Sequence, residues 1–250
     1  MPMGYSTITV SDKIRLVECS EFGNFNRDIV MDFLRMVQQN FYLWLGGQPE
    51  DERYCVIIYH DKYPMCIKCG SNHIIQLCTH DNYWCQWVYQ FSHEYCHHLI
   101  NGPSGNGVRG MMWFEETVCE LASIHNLYEM VLFCTASPNK IRLRYAQAVQ
   151  DYLYAHLLSL QPSRQYTCGE FLSLHTEELA QPVYHREIYS GIASYMLPLF
   201  LANPNLWKII LHFGDMRRWP SLEALFRHLQ DTADDSYSLS LCKLQKLLLG

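Results

Sequence analysis

Gln90-Phe91-Ser92-His93-Glu94-Tyr95-Cys96-His97-His98 is the run around which this 250-residue chain is organised. Its centre, His93-Glu94-x-x-His97, has the form H-E-x-x-H. On a helix, side chains four apart share a face, so His93 and His97 can offer both imidazoles to one ion. Imidazole suits zinc, and Glu94, one position along, can reach a water at such an ion and take its proton. A third ligand is expected further on. Glu116 stands nineteen residues past His97, which completes H-E-x-x-H, eighteen residues and Glu.

Helical geometry supports the same reading. At about 100° per residue, Trp84, Val88, Phe91, Tyr95 and Leu99 form one apolar stripe, and His93 and His97 point away from it. Downstream, Phe114, Val118, Leu121 and His125 share a face, while Glu116 and Glu120 lie together on the opposite one. A zinc-bound histidine is usually oriented by an acceptor on its other ring nitrogen, and Glu120 suits that role. Glu115 faces elsewhere on the wheel and has no carboxylate at i+4. His98 is turned from the ligand direction and reads as a packing or hydrogen-bonding residue. Cys96 sits about 100° from the ligand face.

His93-Glu94-x-x-His97 followed by Glu116-x-x-x-Glu120 resembles the gluzincin group of zinc metallopeptidases, the thermolysin-like and aminopeptidase-like lineages and their small relatives. The resemblance covers Gln90 to Glu120. It implies a zincin-like α+β core, one zinc ion on His93, His97 and Glu116, Glu94 as general base, and Glu120 behind the ligands. It implies a peptide or protein substrate. It also implies an oxyanion donor from the downstream helices, for which Tyr184, His185 and Tyr189 are the candidates. In that group an edge strand near the motif helix binds extended substrate by strand addition. Ile74 to Thr79 is the candidate here, with Ile74 and Gln76 substrate-facing. The Gly-Ala-Met-Glu run of the aminopeptidases is absent, so exopeptidase specificity is not implied.

Composition narrows the classes. Net charge is −6 without a basic cluster, which argues against nucleic acid or an anionic membrane as partner. No signal peptide is visible at the N-terminus, and the longest apolar run, 192–202, is too short to span a bilayer. Eleven cysteines, an odd number without an export signal, suggest reduced thiols in the cytoplasm.

The rest of the chain reads as support. Thr7–Val10 and Ile14–Val17 are β-like, Arg27–Leu45 is helical with Gly46-Gly47 stopping it, and Tyr54–Tyr59 is a buried strand. Met65–Cys69 and Ile74–Thr79 form a hairpin. Helices follow over 139–160, 170–179, 184–201, 206–213, 222–230 and 239–249, punctuated by prolines. One domain is expected, with an α/β part (1–80), zinc-binding helices (81–135) and an all-helical subdomain (136–250). The glycine-rich 101–110 reads as a long turn or a substrate-facing loop, where Arg109 could meet a substrate carboxylate.

Two rivals follow from the residues. The chain could be a catalytically idle, zinc-stabilised interaction or regulatory module, although the intact Glu94 argues against that. Alternatively, Cys66-x-x-Cys69, with Cys78 and Cys85, could form a four-thiolate zinc site, but the second pair lacks tight spacing.

Overall fold

A computed structural model of the chain describes residues 6–100, 110–159 and 165–250. β1 (Thr7–Thr9) pairs antiparallel with β2 (Ile14–Val17). α1 (Arg27–Leu45) crosses over to β3 (Cys55–Tyr59), which runs parallel to β2. α1 has the predicted bounds because both ends are signalled. The Asn26 side chain accepts from the Ile29 N–H, and Gly46 closes the helix at φ 84°, a left-handed conformation that side chains disfavour.

β4 (Met65–Cys69) and β5 (Asn72–Leu77) form a hairpin, and the five strands make one mixed sheet in the order β1-β2-β3-β5-β4. This order corrects one expectation. Ile74 pairs with Val56 on one side and Ile67 on the other, and Gln76 with Ile58 and Met65. The strand holding Ile74 and Gln76 is therefore internal, and β4 is the edge. The reason is chemical: Ile75 and Leu77 are wholly buried, whereas Lys68 and Cys69 are exposed, as suits an edge.

Period-2 alternation gives the sheet one apolar face. Ile14, Leu16, Cys55, Ile57, Ile75 and Leu77 join Val30, Phe33, Leu34 and Val37 of α1 in one core. The same core takes Val88, Phe91 and Tyr95 of α2 (Trp84–Ile100), so the predicted stripe on the motif helix is buried. α2 packs on β5 and β4 on one side and on α3 (Met112–Thr135) on the other. The N-terminus of α3 is pinned. The Met111 N–H donates to the Met216 carbonyl, and at Gly110 (φ +58°) an added Cβ would come within 3.2 Å of the Arg217 backbone.

The remainder is mostly helical: α4 (Lys140–Ser159), α5 (Cys168–Leu174), α6 (Thr176–Leu179), α7 (Arg186–Ala202), α8 (Leu222–Thr232) and α9 (Ser238–Leu249). Two predicted helices differ. The 170–179 segment breaks at His175, and starts earlier because Thr167 and Glu170 form a reciprocal capping box. Pro204–His212 is a 3₁₀ run whose Trp207 indole donates to His125 Nδ1 at 3.0 Å. No helix among the described residues is long and apolar enough to cross a membrane.

Candidate metal centre

α2 and α3 bring the motif residues together. Glu116 Oε2 lies 3.2 Å from His93 Nε2 and 3.4 Å from His97 Nε2. Two donors on one tetrahedral zinc, each about 2.0–2.1 Å from it, stand about 3.3–3.4 Å apart, so both spacings suit a shared ion. Among the described residues, the group that could hold a metal ion, with one donor atom from each inside 4.8 Å of the others, is His93, His97 and Cys119, and Glu116 is not part of it. Two third donors, a carboxylate and a thiol, thus adjoin one histidine pair. They lie three positions apart on α3, on the same side of the helix.

One outer ring nitrogen is engaged as well: His97 Nδ1 meets Glu115 Oε1 at 2.8 Å. Glu120 Oε1 stands 3.8 Å from His93 Nδ1, behind that ring but beyond hydrogen-bond reach. Glu115 is a correction, because the helical wheel turned it away from the site. One position before Glu116, it reaches the far side of the same imidazole ring instead of the inner nitrogen.

Electrostatics follow from this crowding. Burial alone would depress the imidazoles, but Glu116 and Glu94, with Glu115 and Glu120, outweigh it. His93 is held above its usual range and His97 well above. Burial would raise Glu116, yet the two imidazoles hold its carboxyl far below the ordinary carboxylate range. Glu94 goes the other way. Burial pushes its pKa up, against His93, His97 and the Cys66 backbone amide, which pull it down. A buried carboxyl poised upward beside two imidazoles has the features of a proton acceptor and donor. Four carboxylates (Glu94, Glu115, Glu116, Glu120) face two imidazoles here, a balance that a dication would improve.

Glu120 is the hub of the supporting shell and is nearly inaccessible. It accepts from the Tyr89 hydroxyl, from the Tyr184 hydroxyl at 2.9 Å and from Ser190 Oγ at 3.1 Å. Arg186 Nε stands 3.4 Å away, its guanidinium over the Tyr89 ring. Tyr89, Arg186 and Ser190 carry no local sequence signal for this role, since only the packing of α2 and α7 against α3 creates it.

The three oxyanion candidates divide. The Tyr184 hydroxyl is committed to Glu120, and the Tyr189 hydroxyl donates to the Val183 carbonyl at 3.1 Å. His185 retains a buried Nε2 without a partner. Arg109 lies outside the described residues. Cys66 and Cys69 are three apart on β4, so their side chains leave opposite faces. Burial and the adjacent Glu94 raise the Cys66 thiol, whereas Cys69 is exposed and neither belongs to the metal-capable group. All eleven cysteines are free thiols.

No protein-family model and no curated protein matches this chain.

Proposed function

We propose that the chain is a zinc-dependent peptidase, with His93, His97 and Glu116 as ligands and Glu94 as general base. One observation carries this reading: Glu116 bridges both imidazoles at 3.2 and 3.4 Å while the buried Glu94 carboxyl adjoins the same pair. The donor chemistry fits zinc, which takes imidazole and carboxylate together, and three protein ligands leave one coordination position open. When bound there, the ion supplies Lewis acidity toward a peptide carbonyl and toward water.

The protein's own residues supply the remainder. Glu94, with its pKa raised, accepts a proton from the attacking water and returns it to the leaving amine. Glu115 holds the His97 ring through its Nδ1, and the Glu120 charge stands behind the His93 ring. β4 has a strand neighbour on one side only among the described residues, and Cys66 places it beside Glu94. An extended peptide adding to that edge would pass the base.

Glu94→Gln tests the assignment. It should bind zinc as wild type does while peptide hydrolysis falls by about 10²–10⁴-fold. Zinc-loaded Glu94→Gln cleaving a peptide library as fast as wild type would sink it. The idle-module reading draws support from one observation, that both tyrosine candidates have committed hydroxyls. Zinc bound without turnover in the wild-type chain would favour it.

A further inference from the structure

Cys119 is unused by the proposed reaction, yet it is the residue that completes a metal-capable group with His93 and His97. We infer that the histidine pair serves two donor sets, and that through Cys119 the centre also captures thiophilic divalent cations such as cadmium. This rests on the reading that His93 and His97 hold a metal.

Three observations support it. The Cys119 thiol belongs to the same donor group, within 4.8 Å of both histidines. It is wholly buried between α2 and α3. A buried thiol packs as a small apolar side chain and costs the fold little, which allows a soft donor to wait beside a hard one. Cys119 and Glu116 also lie three apart on α3, so one helix presents both donors without rearrangement of the backbone.

The two donors differ in kind. Carboxylate oxygen suits harder ions, whereas thiolate sulfur selects softer ones. On capture, the Cys119 S–H bond breaks, a sulfur–cadmium bond forms and the proton leaves to buffer. No electron changes hands. An ion held by His93, His97 and Cys119 takes a thiolate where zinc in the proposed reaction takes the Glu116 carboxylate.

Titration of the full, metal-free chain with cadmium under reducing, anaerobic conditions tests this, with ultraviolet thiolate-to-cadmium absorption and equilibrium dialysis as readouts. Wild type should bind cadmium with a thiolate band. Cys119→Ser should lose the band and bind cadmium about tenfold or more weakly, and Cys119→Ala serves as a second variant should serine disturb the core. Cys96→Ser and Glu116→Ala should keep the band. His93→Ala should lose it, which separates this ion from cadmium on other thiols. Cadmium bound at His93 without a thiolate band, or an unchanged band in Cys119→Ser, overturns the assignment of Cys119 alone. A folded chain that binds neither zinc nor cadmium overturns the histidine-pair reading as well.

Discussion

α2 carries two buried polar clusters, one on each flank, and they behave in opposite ways. Toward α3, His93 and His97 meet Glu115, Glu116 and Glu120, and both imidazoles are held above their usual range. On the opposite flank, His98 Nδ1 pairs with His73 Nδ1 of β5 at 2.9 Å, and His98 Nε2 stands 3.9 Å from Glu52. Burial, aided by the nearby positive charges of Arg53 and Lys68, takes His73 down to about 4. Burial and His73 itself take His98 to about 3. Burial depresses every one of these histidines, so the number of carboxylates in contact decides the net sign. On the second flank the single carboxylate is already occupied. Glu52 accepts from Tyr95 at 2.6 Å, from Tyr42 at 2.5 Å and from Gln48 at 2.9 Å. One flank thus gathers carboxylates around its imidazoles and suits a cation, and on the other the imidazoles are neutral and structural.

The largest expected effect separates the flanks by metal. Glu116→Ala should weaken zinc binding by about 10²–10³-fold, as removal of one of three protein ligands implies, with little change in fold. Competition titration against a chromophoric chelator measures it. Wild-type zinc affinity in this variant would remove Glu116 from the site.

Glu52→Ala should do the reverse and leave zinc affinity alone. It strands the Tyr95 hydroxyl in the core and removes the acceptor of the half-buried Tyr42 hydroxyl, while Gln48 is exposed and turns to water, at a cost of about 3 kcal/mol. Urea unfolding followed by tryptophan fluorescence gives the value. A loss under about 1 kcal/mol would show that the second flank is not structural.

How far these flanks are legible in the sequence depends on whether their signals are local. His93, Glu94 and His97 are found by helical periodicity, and Glu116 by its spacing, because each rests on one helix or one distance. α1 is found to the residue because its apolar spacing starts at the first turn and Gly46 is an end signal, and the Asn26 cap, a local signal left unread, agrees with that start. The position of β5 is not found, since alternation fixes which face a side chain takes but not which neighbour a strand chooses. The polar Lys68 and Cys69 beside the apolar Ile74, Ile75 and Leu77 were the available hint that β4 is the edge. Glu52 and Glu120 show the limit. Their partners come from segments distant in sequence, so neither hub has a pattern until the chain is folded.

The neutral pair also predicts an acid limb in stability. An unfolded histidine titrates near 6.5, whereas folded His73 does so at about 4, so the unfolded chain binds more protons between these values. The contribution from neutral His73 is therefore present above pH 6.5 and is lost as pH falls from there to about 4. It amounts to roughly 3 kcal/mol across that window. His73→Gln, which keeps a polar group beside His98 but does not titrate, should flatten this part of the curve. Parallel curves for the variant and wild type between pH 4 and 7 would show that burial of His73 is not what sets the limb.

The smallest expected effect is the sharpest test of the division, because it alters charge on each flank without altering shape. Glu115→Gln retains an acceptor for the Nδ1–H of His97 but removes the negative charge behind the ring, which makes that imidazole a poorer donor to a metal. Zinc affinity should fall by about tenfold, near 1.4 kcal/mol. Glu52→Gln is the matched change on the other flank. Although Tyr95 and His98 couple Glu52 to α2 directly, it should leave zinc affinity within about twofold, since no ring nitrogen of a ligand touches it. Equal losses from the two substitutions would mean that α2 transmits charge from either flank to the ion. In that case number of contacts would not be the rule that separates them, and the neutral cluster would belong to the metal centre after all.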